Sequence, residues 1–113
     1  MTDDTTVTRN DEASRYEIHV GGSFSGFSEF RIDARGRVVL PHTVIFPQFS
    51  GRGLGTVLIS DMLGDLARRG ETIVPWCPFV TRYLKDNDVA GLVVDWPDEA
   101  DAMDAAAGGE STA

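Results

Sequence analysis

The chain has 113 residues, 42% of them hydrophobic and 25% charged, which suits one domain with a modest core and is too short for two. The net charge of −8 comes without any cluster of Lys and Arg, which excludes a nucleic-acid surface, and no apolar run approaches the ~20 residues that cross a membrane. A single cysteine, Cys77, rules out an internal disulfide and a cysteine-rich zinc site.

The charge excess sits at the ends. Residues 1–13 hold four acids against Arg9, residues 98–113 hold five acids and no base, and the acids and bases between them cancel. Both ends therefore read as solvated, disordered acidic tails around a neutral folded body over residues 14–97. The start of the chain shows neither the basic nor the apolar part of a leader, so the expected compartment is the cytoplasm.

The first expected strand is Arg15 to Val20, where Tyr16, Ile18 and Val20 alternate with polar residues. Gly21-Gly22-Ser23 reads as a turn. A run from Phe24 to Ile32 follows, interrupted at Gly26 and ending with Phe30 and Ile32 in alternation, and Asp33 to Gly36 reads as a hairpin connection. From Arg37 to Phe46, Val38, Leu40, His42, Val44 and Phe46 fall on one face and Val39, Thr43 and Ile45 on the other. Both faces are mostly apolar, which predicts a central strand covered on each side. Pro41 gives a sheet no N–H, so a bulge is expected there.

The stretch Pro47-Gln48-Phe49-Ser50-Gly51-Arg52-Gly53-Leu54-Gly55-Thr56 then passes through three alternating glycines into helical spacing. Such a turn leaves the first helical N–H groups without partners and suits a phosphate. A helix is predicted over residues 54–69, with Leu58, Ile59, Met62, Leu63 and Leu66 inward, Ser60, Asp61, Gly64, Asp65 and Arg68 outward, and Gly70 as its C-cap. The run Glu71 to Pro78 is the next strand and carries Pro75. If it is the parallel neighbour of the Arg37–Phe46 strand, Pro41 and Pro75 both weaken the pairing and the two strands splay. A second helix is expected from Phe79 to about Asp86, with Pro78 in its first turn and Phe79, Val80, Tyr83 and Leu84 inward. Residues 90–96 make a short last strand, and Trp76 and Trp96 read as packing residues. The whole is a mixed α/β (α+β) domain of antiparallel N-terminal strands, a β-α-β crossover, a second helix and a short strand.

The glycine loop lacks the lysine of a nucleotide-hydrolase loop, and Thr56 stands where a dinucleotide fingerprint needs its last glycine. It meets the pattern of Gln or Arg, two residues, Gly, any residue, Gly or Ala, as Gln48 to Gly53. With His42-Thr43-Val44, Pro47, Gly51 to Gly55, Val74 to Val80 and Tyr83-Leu84, the sequence resembles the small single-domain branch of the GNAT superfamily of acyl-coenzyme A N-acyltransferases, from about Tyr16 to Leu84.

The resemblance implies acetyl-coenzyme A as co-substrate, with its diphosphate on the amides of Gly51 to Thr56 and its pantetheine arm paired to the strand at Val44, Ile45 and Phe46, next to Gln48, Arg52 and Leu54. It also implies a bulge N–H turned toward the thioester carbonyl, and an amine acceptor as the second partner. Larger relatives carry helices between their first two strands and a Tyr seven residues after an Asn. Here only Gly21-Gly22-Ser23 stands between the first two expected strands, Cys77 takes the Asn-like place, and Tyr83 falls one residue short.

Three residues are the candidates for chemistry. His42 is either a base for the acceptor amine or a histidine packed on an apolar strand face. Cys77 is either an acetyl carrier or acid at a helix start, or a small buried hydrophobe. Tyr83 is either the acid for the departing thiolate or a core residue, and Arg52 either a phosphate contact or a solvated loop charge. The expected activity is N-acetyl transfer, against a module that binds acyl-coenzyme A without turnover and, third, a purely structural role. The oligomeric state is open.

Overall fold

The computed structural model describes residues 4–97, in the order β1 (Thr5–Asn10), β2 (Arg15–Val20), β3 (Ser23–Glu29), β4 (Arg31–Ile32), β5 (Val38–Leu40), β6 (Thr43–Ile45), α1 (Leu54–Arg68), β7 (Thr72–Pro75), α2 (Pro78–Asp86) and β8 (Val93–Val94). The expected C-terminal tail lies outside the described residues. Two four-stranded sheets form, ordered β1-β2-β3-β6 and β4-β5-β7-β8. The first is antiparallel, whereas β7 runs parallel to both β5 and β8, which makes two successive crossovers through α1 and α2. This is the mixed α/β domain that the sequence predicts.

The expected tail at residues 1–13 needs correction, because Thr5–Asn10 form a strand that pairs with β2 along its whole length, Thr5 opposite Val20 and Asn10 opposite Arg15. Only Val7 in that segment is apolar, so no hydrophobic alternation announces it. What holds it is the neighbouring strand's hydrogen bonds together with Val7 against the core, Asn10 Nδ2 donating to Glu17 at 3.0 Å, and Arg9. Arg9 lies 4.4 Å over the Phe30 ring and donates from Nη1 to the Tyr16 hydroxyl at 2.9 Å. The connection between the first two strands of the fold is thus Asp11 to Ser14, not Gly21-Gly22-Ser23.

The run from Arg37 to Phe46 is not one uniformly covered strand. Between the pairs Ser28–Thr43 and Arg31–Val39, three steps along one strand match four along the other. The extra residue is a bulge at Pro41–His42, and it hands the chain from one sheet to the other. On the partner side Phe30 turns inward at the crossing, which leaves Ile32 exposed instead of sharing its face. Gly26 lies further along β3, next to a shift in the β2–β3 register at Ile18–His19, and a Cβ there would lie 2.5 Å from the Val44 carbonyl oxygen.

Both helices pack on one core. Leu58, Ile59, Met62, Leu63 and Leu66 of α1 are all buried, as the spacing predicts, against Tyr16, Ile18, Phe30, Val38, Leu40, Ile73 and Val80. The helix ends in a Schellman motif, with Gly70 at φ 70° donating to Ala67 and Glu71 donating to Leu66. From α2 only Val80 is fully buried; Tyr83 and Leu84 are half-buried, and Phe79 is 49% exposed, contrary to its expected inward place. Trp96 is also exposed and not a packing residue. No helix among the described residues is long and apolar enough to cross a membrane.

One polar contact ties the core to the helix. The Tyr16 hydroxyl donates to Asp65 Oδ2 at 2.6 Å, and Arg69 Nε donates to the same oxygen at 2.7 Å. Burial and the hydrogen bond to Asp65 push the Tyr16 phenol up to about 12. Burial alone would raise the Asp65 carboxyl, but the bonds from Tyr16 and Arg69 and the charges of Arg69 and Arg68 bring it below its ordinary value of 3.8. A carboxyl lowered in the folded state adds stability above pH 3.8 that is lost as pH falls through the folded value. The neutral phenol adds stability that is lost as pH rises from 10.0 through about 12.

Two outcomes follow. Tyr16→Phe should cost about 2 kcal/mol at pH 6 by urea unfolding, and the difference from the wild-type protein should shrink as Asp65 is titrated below pH 4. Gly26→Ala should cost about 2 kcal/mol or more by the same measurement, because the new methyl meets backbone that cannot give way without moving β6.

Candidate functional site

The bulge decides which backbone groups are available. Glu29 N–H donates to the His42 carbonyl at 3.1 Å and Phe46 N–H to the Ser25 carbonyl at 2.9 Å. Hydrogen-bonded pairs alternate along an antiparallel ladder, so Val44 also faces β3. The N–H and C=O of Thr43 and Ile45 therefore point to the other edge of β6, where no described strand pairs. Of the three residues expected to meet an extended ligand through their backbone, Ile45 offers its groups and Val44 and Phe46 do not, while Thr43 joins it. The opposite wall closes only at the base: β5 and β7 pair as far as Leu40 and Pro75, and the Leu40 carbonyl accepts from both Trp76 N–H at 3.1 Å and Cys77 N–H at 2.9 Å. Beyond that point the two strands part, as two prolines without N–H groups require.

The open edge leads directly into the glycine loop. Pro47–Phe49 make one 3₁₀ turn with Gln48 exposed on it, and Ser50 N–H and Oγ both donate to the Pro47 carbonyl. Gly51 and Gly53 take φ of 80° and 74°, the left-handed region where a side chain is strained, and the space at their Cβ positions is open. Gly53 caps α1 without any side-chain hydrogen bond, and no acid lies in the first turn. The first helical bond runs from Val57 N–H to the Gly53 carbonyl at 3.3 Å, so the amides of Leu54, Gly55 and Thr56 stand ahead of the ladder. Gly55 serves a different purpose. It is buried, and a Cβ there would come 3.0 Å from Phe79 Cε1, so its missing side chain makes room for that ring. Arg52 is exposed, its guanidinium 5.6 Å over the Phe49 ring.

These features fit a coenzyme A thioester in chemical kind. Uncapped amide donors at a helix start suit a diphosphate, and an unpaired strand edge suits an arm that carries amides.

The candidate chemical residues fall on two sides of β6. His42 lies on the face away from α1, half-exposed, with Nε2 3.4 Å from Glu29 Oε1 and its ring 6.3 Å from that of Phe27. The same face carries Phe24 and Phe46 at 5.1 Å from each other, with the Arg15 guanidinium 5.0 Å over both Phe24 and Phe27. Thr43, one residue on, points inward. Its hydroxyl is 2.8 Å from the buried Ser28 hydroxyl and accepts the Cys77 thiol at 3.3 Å. Cys77 is 1% exposed and stands at the N-cap of α2, where its side chain makes no cap. His42 and Cys77 are thus separated by the strand between them and do not form a base–thiol pair. Tyr83 packs half-buried against the core cluster.

Sequence reasoning missed Glu29, Ser28 and Thr43 as neighbours of the candidate residues. Only the cross-strand register brings Glu29 to His42 and Ser28 to Thr43, and register is not written in either strand alone.

No curated protein matches the chain. A family model described as GCN5-related N-acetyl-transferase matches residues 15–91, from the start of β2 to the loop before β8 and therefore through the open edge and the glycine loop; β1 lies outside it. That match spans more than half of the sequence, and the chain belongs to the family of GCN5-related N-acetyltransferases.

Proposed function

We propose that this acyltransferase moves acetyl from acetyl-coenzyme A to a primary amine by direct attack, with His42 as base. The observation that carries the reading is the open edge of β6 running into a helix start with uncapped amides. In this reading the diphosphate rests on the amides of Gly51 to Thr56, with Gln48 and Arg52 beside it, and the arm lies along Thr43 and Ile45. The thioester carbonyl then reaches the bulge, where the Thr43 N–H is the first free donor for the developing oxyanion. His42, steered by Glu29, takes a proton from the incoming ammonium. The amine nitrogen bonds to the carbonyl carbon, the carbon–sulfur bond breaks, and the second proton on that nitrogen passes to the departing sulfur, so that the products are the amide and the free thiol of coenzyme A.

The burial of Cys77 supports direct transfer over an acetyl-cysteine. An acyl group on that sulfur would need volume inside the core, next to Thr43. A second reading, a module that holds acyl-coenzyme A without turnover, draws support from Tyr83, which is half-buried against the core cluster.

Millimolar coenzyme A should raise the melting temperature by several degrees, since a ligand at a hundred times its Kd adds about 2.7 kcal/mol. With acetyl-coenzyme A and a panel of amines, thiol release supports the transferase, stabilisation without release supports the binding module, and no stabilisation ends both. His42→Ala should lower kcat/KM roughly a hundredfold or more, whereas Cys77→Ser should leave it within about threefold. Loss of turnover in C77S with coenzyme A binding intact would reverse the choice of route.

A further inference from the structure

We propose that Phe79 is a binding residue for the acyl-coenzyme A arm, forming the apolar wall beside the amide cradle; this rests on the reading above. Two helix starts meet at this point. α1 begins at Leu54 and α2 at Pro78, and neither N-cap residue, Gly53 or Cys77, caps its helix with a side-chain hydrogen bond. Phe79 lies across the junction, its ring edge 3.0 Å from where a Gly55 Cβ would be. The residue after it, Val80, fills the core and is fully buried, while the Phe79 ring stays 49% exposed. Hydrophobic packing within the chain does not account for that exposed half, and the absence of a side chain at Gly55 lets the ring reach the first turn of α1, whose amides are unpaired.

The chemistry of the ligand matches this arrangement. In coenzyme A the diphosphate is joined directly to a pantoyl unit that carries two methyl groups on one carbon. A diphosphate on the amides of Leu54 to Thr56 puts those methyls within reach of a ring resting on Gly55. An apolar contact there also keeps water from the diphosphate and strengthens its bonds to the backbone donors. Phe79 is thereby a determinant of arm binding and takes no part in the chemical step.

The test compares the wild-type protein with Phe79→Ala and Phe79→Leu by calorimetric titration with coenzyme A and with adenosine 3′,5′-bisphosphate, which carries the nucleotide end without the arm. F79A should bind coenzyme A about tenfold more weakly, F79L should recover most of the loss, and the bisphosphate should bind wild type and F79A alike. Equal coenzyme A affinity in wild type and F79A would overturn the proposal. A parallel loss for both ligands would also overturn it, by showing that the ring only shapes the loop. If the wild-type protein itself does not bind coenzyme A, the proposed function falls, and this role of Phe79 with it. Should F79A fail to fold, F79L and Phe79→Val carry the same comparison in a milder form.

Discussion

A single additional residue on the strand from Val38 to Ile45, relative to the strand facing it, separates this fold into two sheets and opens the gap on which the site depends. A bulge normally bends a sheet and resumes its pairing. Here it falls on Pro41, which has no N–H to offer, and the neighbouring strand ends on Pro75, which has none either. The ladder between β5 and β7 cannot extend past Leu40, whose carbonyl takes the last two donors from the far side. Everything C-terminal to the bulge on one strand and to Pro75 on the other is left to find separate partners.

The two sides of the gap find them differently. β6 turns to β3, with which Gly26 lets it pack closely, and keeps its other edge free. The chain after β7 turns into α2, whose first residues lie against the first residues of α1. Two helix starts and one open strand edge therefore converge, and all three present N–H groups without internal partners. A protein of this size has few ways to place so many donors together. Of the residues that carry the free amides at the start of α1, Thr56 is exposed, whereas Leu54 and Gly55 are buried, where an unmet donor costs most.

The rest of the molecule keeps this opening from collapsing. α1 is held along its length by the buried aliphatic face and at Asp65 by Tyr16 and Arg69, while Arg9 brings β1 onto the same tyrosine. The face of the first sheet that no described helix covers carries His42 with an aromatic group around Phe27, and on the covered face Thr43 meets the thiol of Cys77. The strand between them gives the two residues different surroundings, one open to water and one closed.

Much of this was legible in the sequence. The alternation in Arg15–Val20, the helical spacing of Leu58 to Leu66, Gly70 as a C-cap and the bulge at Pro41 all follow from local chemistry: side-chain period, backbone freedom and a missing N–H act within a few residues. The glycine loop is local in the same sense, and so was the inference of unpaired amides after it. Tertiary structure alone decided the remainder. Thr5–Asn10 became a strand because β2 offered it hydrogen bonds, Phe79 came to the surface because Gly55 made room for its ring, and Glu29 met His42 through cross-strand register. In each case the partner lies on another segment, and a contact between segments has no signature in either one until the fold brings them together.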